Sequence, residues 1–445
     1  MFPIPVHQRA IHQRFLAVLP RIAGALLAGL LMVGMPVASA FGAEREAADL
    51  AAIAAAESAA AADIVLLGEA THGTREFYTH RADITEWLAQ DARTAAVVIE
   101  ADGTEVARAN RYVRGIGPDR SAADALSDFR RFPRWMWRNQ EFAGFIERLR
   151  ATNLRRPENA RIGLYGMDVY DLYGALDRAR AFLRTQGGRS VAAGEAAAKC
   201  FAPYRRSSEA YGTAARKAAR SCATAAQNLL EALTASHSQT HEAANEAAFE
   251  AMQAAAAVID AEAYFRAAFA GSYSWNVRER AMAGTIERVA LHTDGGLHHP
   301  ARIIVWTHNS HAGNAASTAM LDRGETTIAD LLRGRGSRQV FSIGLLTHSG
   351  TFMAASAWNR PGQIFQLPPA ARNSVEGLLR RTAGARTLLT LPSSAQAFAE
   401  WRPQRMIGAV FDAADREAVY SRARLSTQFD AVLFAADTRA VAPLP

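Results

Sequence analysis

An acid and a base stand three residues apart, Glu69 and His72, in a stretch that reads GEATHGTREFYTHR from Gly68 to Arg81. A histidine near its ordinary pKa can take a proton from water, and a neighbouring carboxylate can orient the ring or stabilise its cation. Glycines flank the pair at Gly68 and Gly73, and Arg81 follows within a helical pattern. Four more candidates come just after short apolar runs: Glu100, Asp168, His308 and His311. Arg278 lies on an apolar stripe of its own. The chemistry these residue types suit is hydrolysis. A histidine draws the proton from water, carboxylates hold the histidine, and a guanidinium polarises a carbonyl or binds the oxyanion. No G-x-S-x-G turn follows a strand, which disfavours a serine triad. No Walker or dinucleotide glycine pattern is present.

The elements that must position these residues are legible from periodicity. Residues 63–67, 95–99, 161–166 and 303–307 read as short buried strands, because continuous apolar runs of that length suit a parallel sheet covered on both faces. Residues 340–346, 406–411 and 429–434 are three further strand candidates. A helix over 74–90 places Phe77, Ile84 and Leu88 on one face, with Arg81 among them. A guanidinium on an inward stripe needs a carboxylate or a ligand. Residues 63–99 read as a right-handed βαβ unit, which puts Glu69 and Glu100 at one edge of the sheet. In a helix over 265–291, Trp275, Met282, Ile286 and Val289 share a face with Arg278, whereas Glu279, Arg280 and Arg288 fall elsewhere and read as solvated. Trp135 and Trp137 are two apart and cannot share a helix face, so one of them is free to face a pocket. Ligands of open parallel sheets bind outside the carboxyl ends of the strands, and the candidates gather there. The plainer view of His308 and His311, as structural hydrogen-bonders, weakens once all the candidates share an edge.

The same side chains are also metal ligands in type. Glu69, His72, Glu100, His308 and His311 suit zinc or manganese. Two arginines directed at the same place weigh against a cation. No cofactor is therefore expected, and a metal-dependent hydrolase stays open as the alternative, beside a non-catalytic envelope ligand-binding protein.

Composition sets the frame. The chain has 445 residues and 49% hydrophobic content, enough for one large α/β domain with an insertion or for two domains. Residues 1–40 combine basic residues, an apolar run and the small-residue site Ala38-Ser39-Ala40, the pattern of a secretory signal peptide. The formal charge of +7 includes Arg9, Arg14 and Arg21 there, which leaves +4 for the mature chain. The remaining basic residues are scattered among acids, with no stripe for nucleic acid. No later run is apolar enough to cross a membrane. The expected protein is exported, periplasmic or secreted. From 186 to 264 alanine dominates and β-branched residues are scarce, the mark of a helical insertion beside the cleft, either a lid or a spacer. The α/β catalytic domain then comprises 41–185 and 265–445. Cys200 and Cys222 both fall in the insertion, and in an exported protein they suit one disulfide.

Seven stretches together resemble the erythromycin esterase family. They are LLGEATHGTREFY with Arg81, VVIEAD at 97–102, RYVRG at 111–115, YGMDVY at 165–170, WNVRERAMA at 275–283, WTHNSHAGN at 306–314 and FDAVLF at 429–434. The resemblance implies an α/β fold, a mostly parallel central sheet flanked by helices, with a helical subdomain beside a deep cleft. It implies hydrolysis of a carboxylic ester, a macrolide lactone being the best-known case, and a small-molecule ester as partner. Carried over by motif, His72 is the base and Glu69 orients it. Arg81, Glu100, Arg278, His308 and His311 are further cleft residues, Arg278 as the carbonyl or oxyanion contact. Asp168 is expected to hold a strand end.

Overall fold

The apolar runs ahead of the candidate residues do form buried strands. In chain order the strands are β1 (Ile64–Leu67), β2 (Thr94–Asp102), β3 (Gly163–Asp168), β4 (Arg302–Trp306), β5 (Val340–Ala355), β6 (Gly362–Leu367), β7 (Arg386–Thr390), β8 (Arg402–Arg405), β9 (Tyr420–Ala423) and β10 (Ala431–Thr438). Eight of them make one sheet in the order β3-β2-β4-β1-β5-β10-β7, with β6 paired to β5. β8 and β9 form a separate ribbon. The pairs from β3 across to β10 are parallel, and β6 and β7 join antiparallel. Every residue of β1 and β4 is buried, as a sheet covered on both faces requires. The computed structural model describes residues 57–187, 190–216, 220–237, 246–271, 273–294, 300–382, 386–390, 395–415 and 419–445. The expected signal peptide at 1–40 lies outside the described residues.

The principal helices are α1 (Arg75–Leu88), α2 (Gly103–Val113), α3 (Gln140–Asn153), α4 (Leu172–Gln186), α5 (Ser190–Phe201), α6 (Ser208–Ala215), α7 (Ala223–His237), α8 (Glu246–Phe269), α9 (Ser274–Thr293) and α10 (Ile328–Arg335). The fold is α/β, with helices flanking a mostly parallel sheet. The helices from α4 to α8 enclose an apolar core of their own, from Val169 and Leu172 through Phe201 and Leu229 to Phe265. Small alanines let these helices approach closely. A disulfide joins Cys200 to Cys222 inside this layer. Among the described residues no helix is long and apolar enough to cross a membrane.

Two expectations change. Residues 406–411 are not a strand: they touch the sheet only through single bridges, Ile407 to Thr71 and Val410 to Ala355. This apolar run lines an edge rather than extending the ladder. Second, β1 and β2 are not neighbours, because β4 lies between them. The connection from β1 to β2 crosses β4 in one direction, and the connection from β4 to β5 crosses β1 in the other. Right-handed crossovers of opposite direction leave on opposite faces of the sheet and open a crevice between the two strands.

Candidate active site

The crevice opens where β1 ends. Leu67 gives way to Gly68, whose backbone is so close to β4 that a Cβ there would fall 2.0 Å from Asn309 Oδ1. Gly73 is pressed on Met353 in the same way, with 2.1 Å from a Cβ to its carbonyl oxygen. Only glycine fits at either end, so the pair holds the turn between β4 and β5. Backbone bonds complete the clamp: the Asn309 amide donates to Glu69 O at 2.9 Å, and the Met353 amide donates to Gly73 O at 2.9 Å. The turn is a loop by sequence but is held as firmly as a strand.

Within it, His72 Nδ1 lies 2.9 Å from Glu69 Oε1. A carboxylate accepts, so Nδ1 carries the proton and Nε2 is left with its lone pair. The other Glu69 oxygen is 2.6 Å from Arg81 Nη2. The approach has ion-pair distance without hydrogen-bond alignment. Both residues are fully buried. The Arg81 guanidinium is also flanked by Tyr78 and Trp306, with ring centroids at 4.6 and 4.7 Å. The aromatic faces and one carboxylate together answer the sequence-level question of what an inward arginine needs. The Tyr78 hydroxyl donates to His72 O at 2.7 Å and lies 2.5 Å from Met136 O. This fastens the histidine backbone to the segment around residue 136.

The strand that separates β1 from β2 brings the second histidine. The ring centroids of His308 and His72 are 4.9 Å apart. The Ser310 amide donates to His308 Nδ1 at 3.2 Å. Nδ1 also lies 2.9 Å from Ser310 Oγ, and with the amide as donor the ring is assigned its proton on Nε2. The two histidines are therefore opposite tautomers, one a base and the other a donor, by assignment from their partners.

Glu100, Asp168, Arg278 and His311 form one buried network beside them. Glu100 Oε2 accepts from Thr307 Oγ1 at 2.8 Å and from the His308 amide at 2.7 Å. Its Oε1 accepts from Arg278 Nη2 at 2.9 Å and lies 3.1 Å from His311 Nε2. Asp168 takes Arg278 in a fork, 2.8 Å to Nε and 2.6 Å to Nη2. Burial pushes the Glu100 carboxyl up, but His311 and Arg278 outweigh it and hold it well below the usual carboxylate range. His311 is pulled down by burial and up by Glu279 and Glu100, and the carboxylates win, lifting it to about 9. It is an imidazolium at neutral pH. Its Nε2 is also 3.1 Å from Arg278 Nη1. Two cations at that distance repel, and the carboxylates around them are what offset the repulsion.

Sequence reading missed the partner that matters most to His311. Glu279, expected to be solvated, is fully buried, lies 2.5 Å from His311 Nδ1 and accepts from the Ile328 amide at 2.8 Å. Helix α9 is covered by α8 on one side and α10 on another, so it has no dry and wet face of the ordinary kind. The adjacent charges in WNVRERAMA were the available signal. Trp275 stacks on His311 at 4.8 Å and 7° between planes. Of the two tryptophans in question, Trp137 is core, edge-on to Phe142, and its indole donates to Glu100 O at 3.1 Å. All seven candidates from the sequence thus meet at one sheet edge: Glu69, His72 and Arg81 in one cluster, Glu100, Arg278 and His311 in another, with His308 between. Asp168 belongs to the second cluster as the fork for Arg278. That fork uses the donors expected to contact a carbonyl.

A cavity in part open to solvent lies under the helical layer and, among the described residues, meets this network only at Asp168. Its floor includes Asp102, whose carboxyl is pushed by burial to about 8, with Arg131 opposing and Asp168 reinforcing the shift. Among the described residues no three His, Cys, Asp or Glu side chains converge as metal ligands would.

The sequence profile of the erythromycin esterase family matches residues 91–438. The chain belongs to this family. The match begins after the Glu69–His72 turn, so the placing of that turn rests on the strands and bonds described above. Three solved structures share the fold. One is a succinoglycan biosynthesis protein, 18% identical, with 87% of this chain and 90% of that one covered at a TM-score of 0.66. Another is a Bacillus cereus protein, 17% identical, covering 87% and 92% at 0.70. The third is a mutant of the erythromycin esterase EreC in its open conformation, 17% identical, covering 85% and 91% at 0.61. Membership of the family makes this chain a hydrolase of the erythromycin esterase kind, with a small molecule as its substrate.

Proposed function

We propose that this member of the family is an exported carboxylic ester hydrolase in which His72 activates water. The observation that carries the proposal is the pair of histidine rings, 4.9 Å apart, with His72 Nδ1 facing the Glu69 carboxylate and His308 Nδ1 facing the Ser310 amide. A water hydrogen-bonded to His72 Nε2 attacks the ester carbonyl as its proton passes to that nitrogen. Glu69 holds the resulting imidazolium through Nδ1, and Arg81 holds Glu69. The oxyanion that forms meets the Nε2–H of His308. Collapse breaks the bond to the alkoxide, which takes the proton back from His72 and leaves as the alcohol; the other product is the acid. Arg278, with its donors committed to Asp168 and Glu100, acts as a positioning residue for the β2 and β3 ends.

No metal takes part in this scheme. Both oxygens of Glu69 and of Glu100 already face protein donors, which supports the metal-free form over the metal-dependent one. Loss of turnover on chelation, restored by a stoichiometric divalent ion, would reverse that choice. The disulfide supports an oxidising compartment and hence export. A macrolide lactone is the named candidate substrate, with antibiotic resistance as its biological consequence. The test is direct. Purified protein is incubated with a range of macrolides and simple aryl esters, and products are sought that are heavier by one water. His72→Ala is expected to lose about 10²–10⁴ in kcat with folding intact. Turnover that survives the substitution sinks the mechanism, and a lack of macrolide products sinks that substrate.

A further inference from the structure

Beside His72 the crevice has a rim that the reaction scheme does not use. Met353 is pressed against Gly73, and its strand partner across β5 and β6 is Ile364. Directly opposed residues of an antiparallel pair project from the same face of the ribbon. Ile364 is 63% exposed on that face. Two residues earlier, a Cβ on Gly362 would fall 2.4 Å from Trp135 Cδ1 and 2.8 Å from Met353 Sδ, so the absence of a side chain is what seats the indole there. Trp135 is buried, and its indole N–H has no acceptor among the described residues. The tip of the β5–β6 hairpin turns through Asn359 at a φ of 61° and presents Trp358, 42% exposed, against Phe132 with ring centroids 4.6 Å apart. Val410, also exposed, bridges to Ala355 at the turn end of the same hairpin. Exposed apolar residues gathered on one hairpin mark a candidate binding face, and Tyr78 ties its 132–137 wall to the His72 backbone.

The charge on these two segments has one sign. Residues 129–138 carry Arg130, Arg131, Arg134 and Arg138 and no acid, and residues 350–374 carry Arg360 and Arg372 and no acid. Arg131 is committed to Asp102 at 3.1 Å. Arg134 and Arg360 are exposed, each two residues from a member of the aromatic pair. We propose that this rim selects the substrate: an amphipathic ester whose apolar body lies on Phe132, Trp358 and Ile364 and which bears an anionic group, carboxylate or phosphate, met by Arg134 and Arg360. The inference rests on the ester-hydrolase reading and adds the substrate class to it, favouring an anionic ester over a macrolide, whose amino sugar is cationic at neutral pH. An aromatic platform holds a flat or alkyl body, and exposed arginines repel a cationic one.

The experiment compares four 4-nitrophenyl esters: acetate, octanoate, the hydrogen suberate, which ends in a carboxylate, and an eight-carbon ester that ends in trimethylammonium. In the wild type, kcat/KM is expected to rank suberate above octanoate above the ammonium ester, by about tenfold at each step in low salt. The Trp358→Ala variant is expected to lower the octanoate-to-acetate ratio. The Arg134→Gln, Arg360→Gln double variant is expected to lower the suberate-to-octanoate ratio. A wild type that prefers the ammonium ester overturns the proposal, as do variants that slow all four esters by one common factor. If none of the esters is hydrolysed, the catalytic reading has failed and the rim is read by calorimetry instead. Octanoate binding that is lost in Trp358→Ala then upholds it, and tighter binding of octyltrimethylammonium overturns it.

Discussion

Replacing Glu279 by Gln removes one carboxylate from His311 and keeps the shape of the side chain. His311 is raised from an ordinary 6.5 to about 9 in the folded protein, with Glu279 the leading favourable charge against the burial that lowers it. Because the folded state binds the proton more tightly than the unfolded chain, this group stabilises the fold fully below about pH 6.5. The contribution is lost as pH rises through about 9. The gap corresponds to about 3 kcal/mol at most. With Glu279 neutral, Glu100 alone opposes burial and Arg278, and about half of that gap should remain. Asp102 complicates the raw curve: lifted to about 8, it too loses its contribution as pH rises, from its unfolded value through about 8. The informative quantity is therefore the difference between wild type and variant, in which Asp102 cancels. Urea unfolding at intervals from pH 6 to 10 gives it, and the titration of the His311 ring protons by NMR gives the pKa itself. The variant should be less stable at pH 6.5 by about 1–2 kcal/mol, with the deficit shrinking toward pH 10. A difference independent of pH, or one that grows with pH, would refute the account of His311 as an imidazolium held by two carboxylates.

Other outcomes follow from single contacts. Arg81→Leu leaves the fully buried Glu69 without its cation and should cost about 3–5 kcal/mol by denaturant unfolding; a loss under 1 kcal/mol would mean that the aromatic faces, not the ion pair, define that site. Replacing Cys200 and Cys222 together by Ala opens a cross-link spanning 22 residues. The expected loss is about 3 kcal/mol on the chain-entropy estimate, and an unchanged melting temperature would show that the helical layer is rigid without it.

What could be read from the sequence was set by range. The buried strands β1, β2 and β4 announce themselves as short apolar runs, and the residue after each run is found at the sheet edge as expected. Arg81 and Arg278 were visible because a charge on an apolar stripe breaks a local pattern. Glu279 was not, because its burial depends on α8 and α10 packing on both sides of α9, a fact absent from the helix's own period. The strand order was hidden for the same reason. Nothing in residues 63–99 says that a segment 200 residues later will part the two strands, and residues 406–411 form a short apolar run like those of the strands although they only line an edge. The opposite tautomers of His72 and His308 depend on partners only the fold supplies.

The place of β4 bears on how the molecule is made. A chain that has emerged only as far as residue 300 holds β1 and β2 with no strand between them. Both then expose unsatisfied edges, and the ends that carry Glu69 and Glu100 stand apart. Contacts of such long sequence separation are slow to form and leave edges open to aggregation meanwhile. The crevice can close only after the late strand threads into the gap. This order leaves the meeting of His72 and His308 as one of the last events in folding. Pulse-labelled hydrogen exchange, with the β4 amides protected after those of β2 and β3, would record that order.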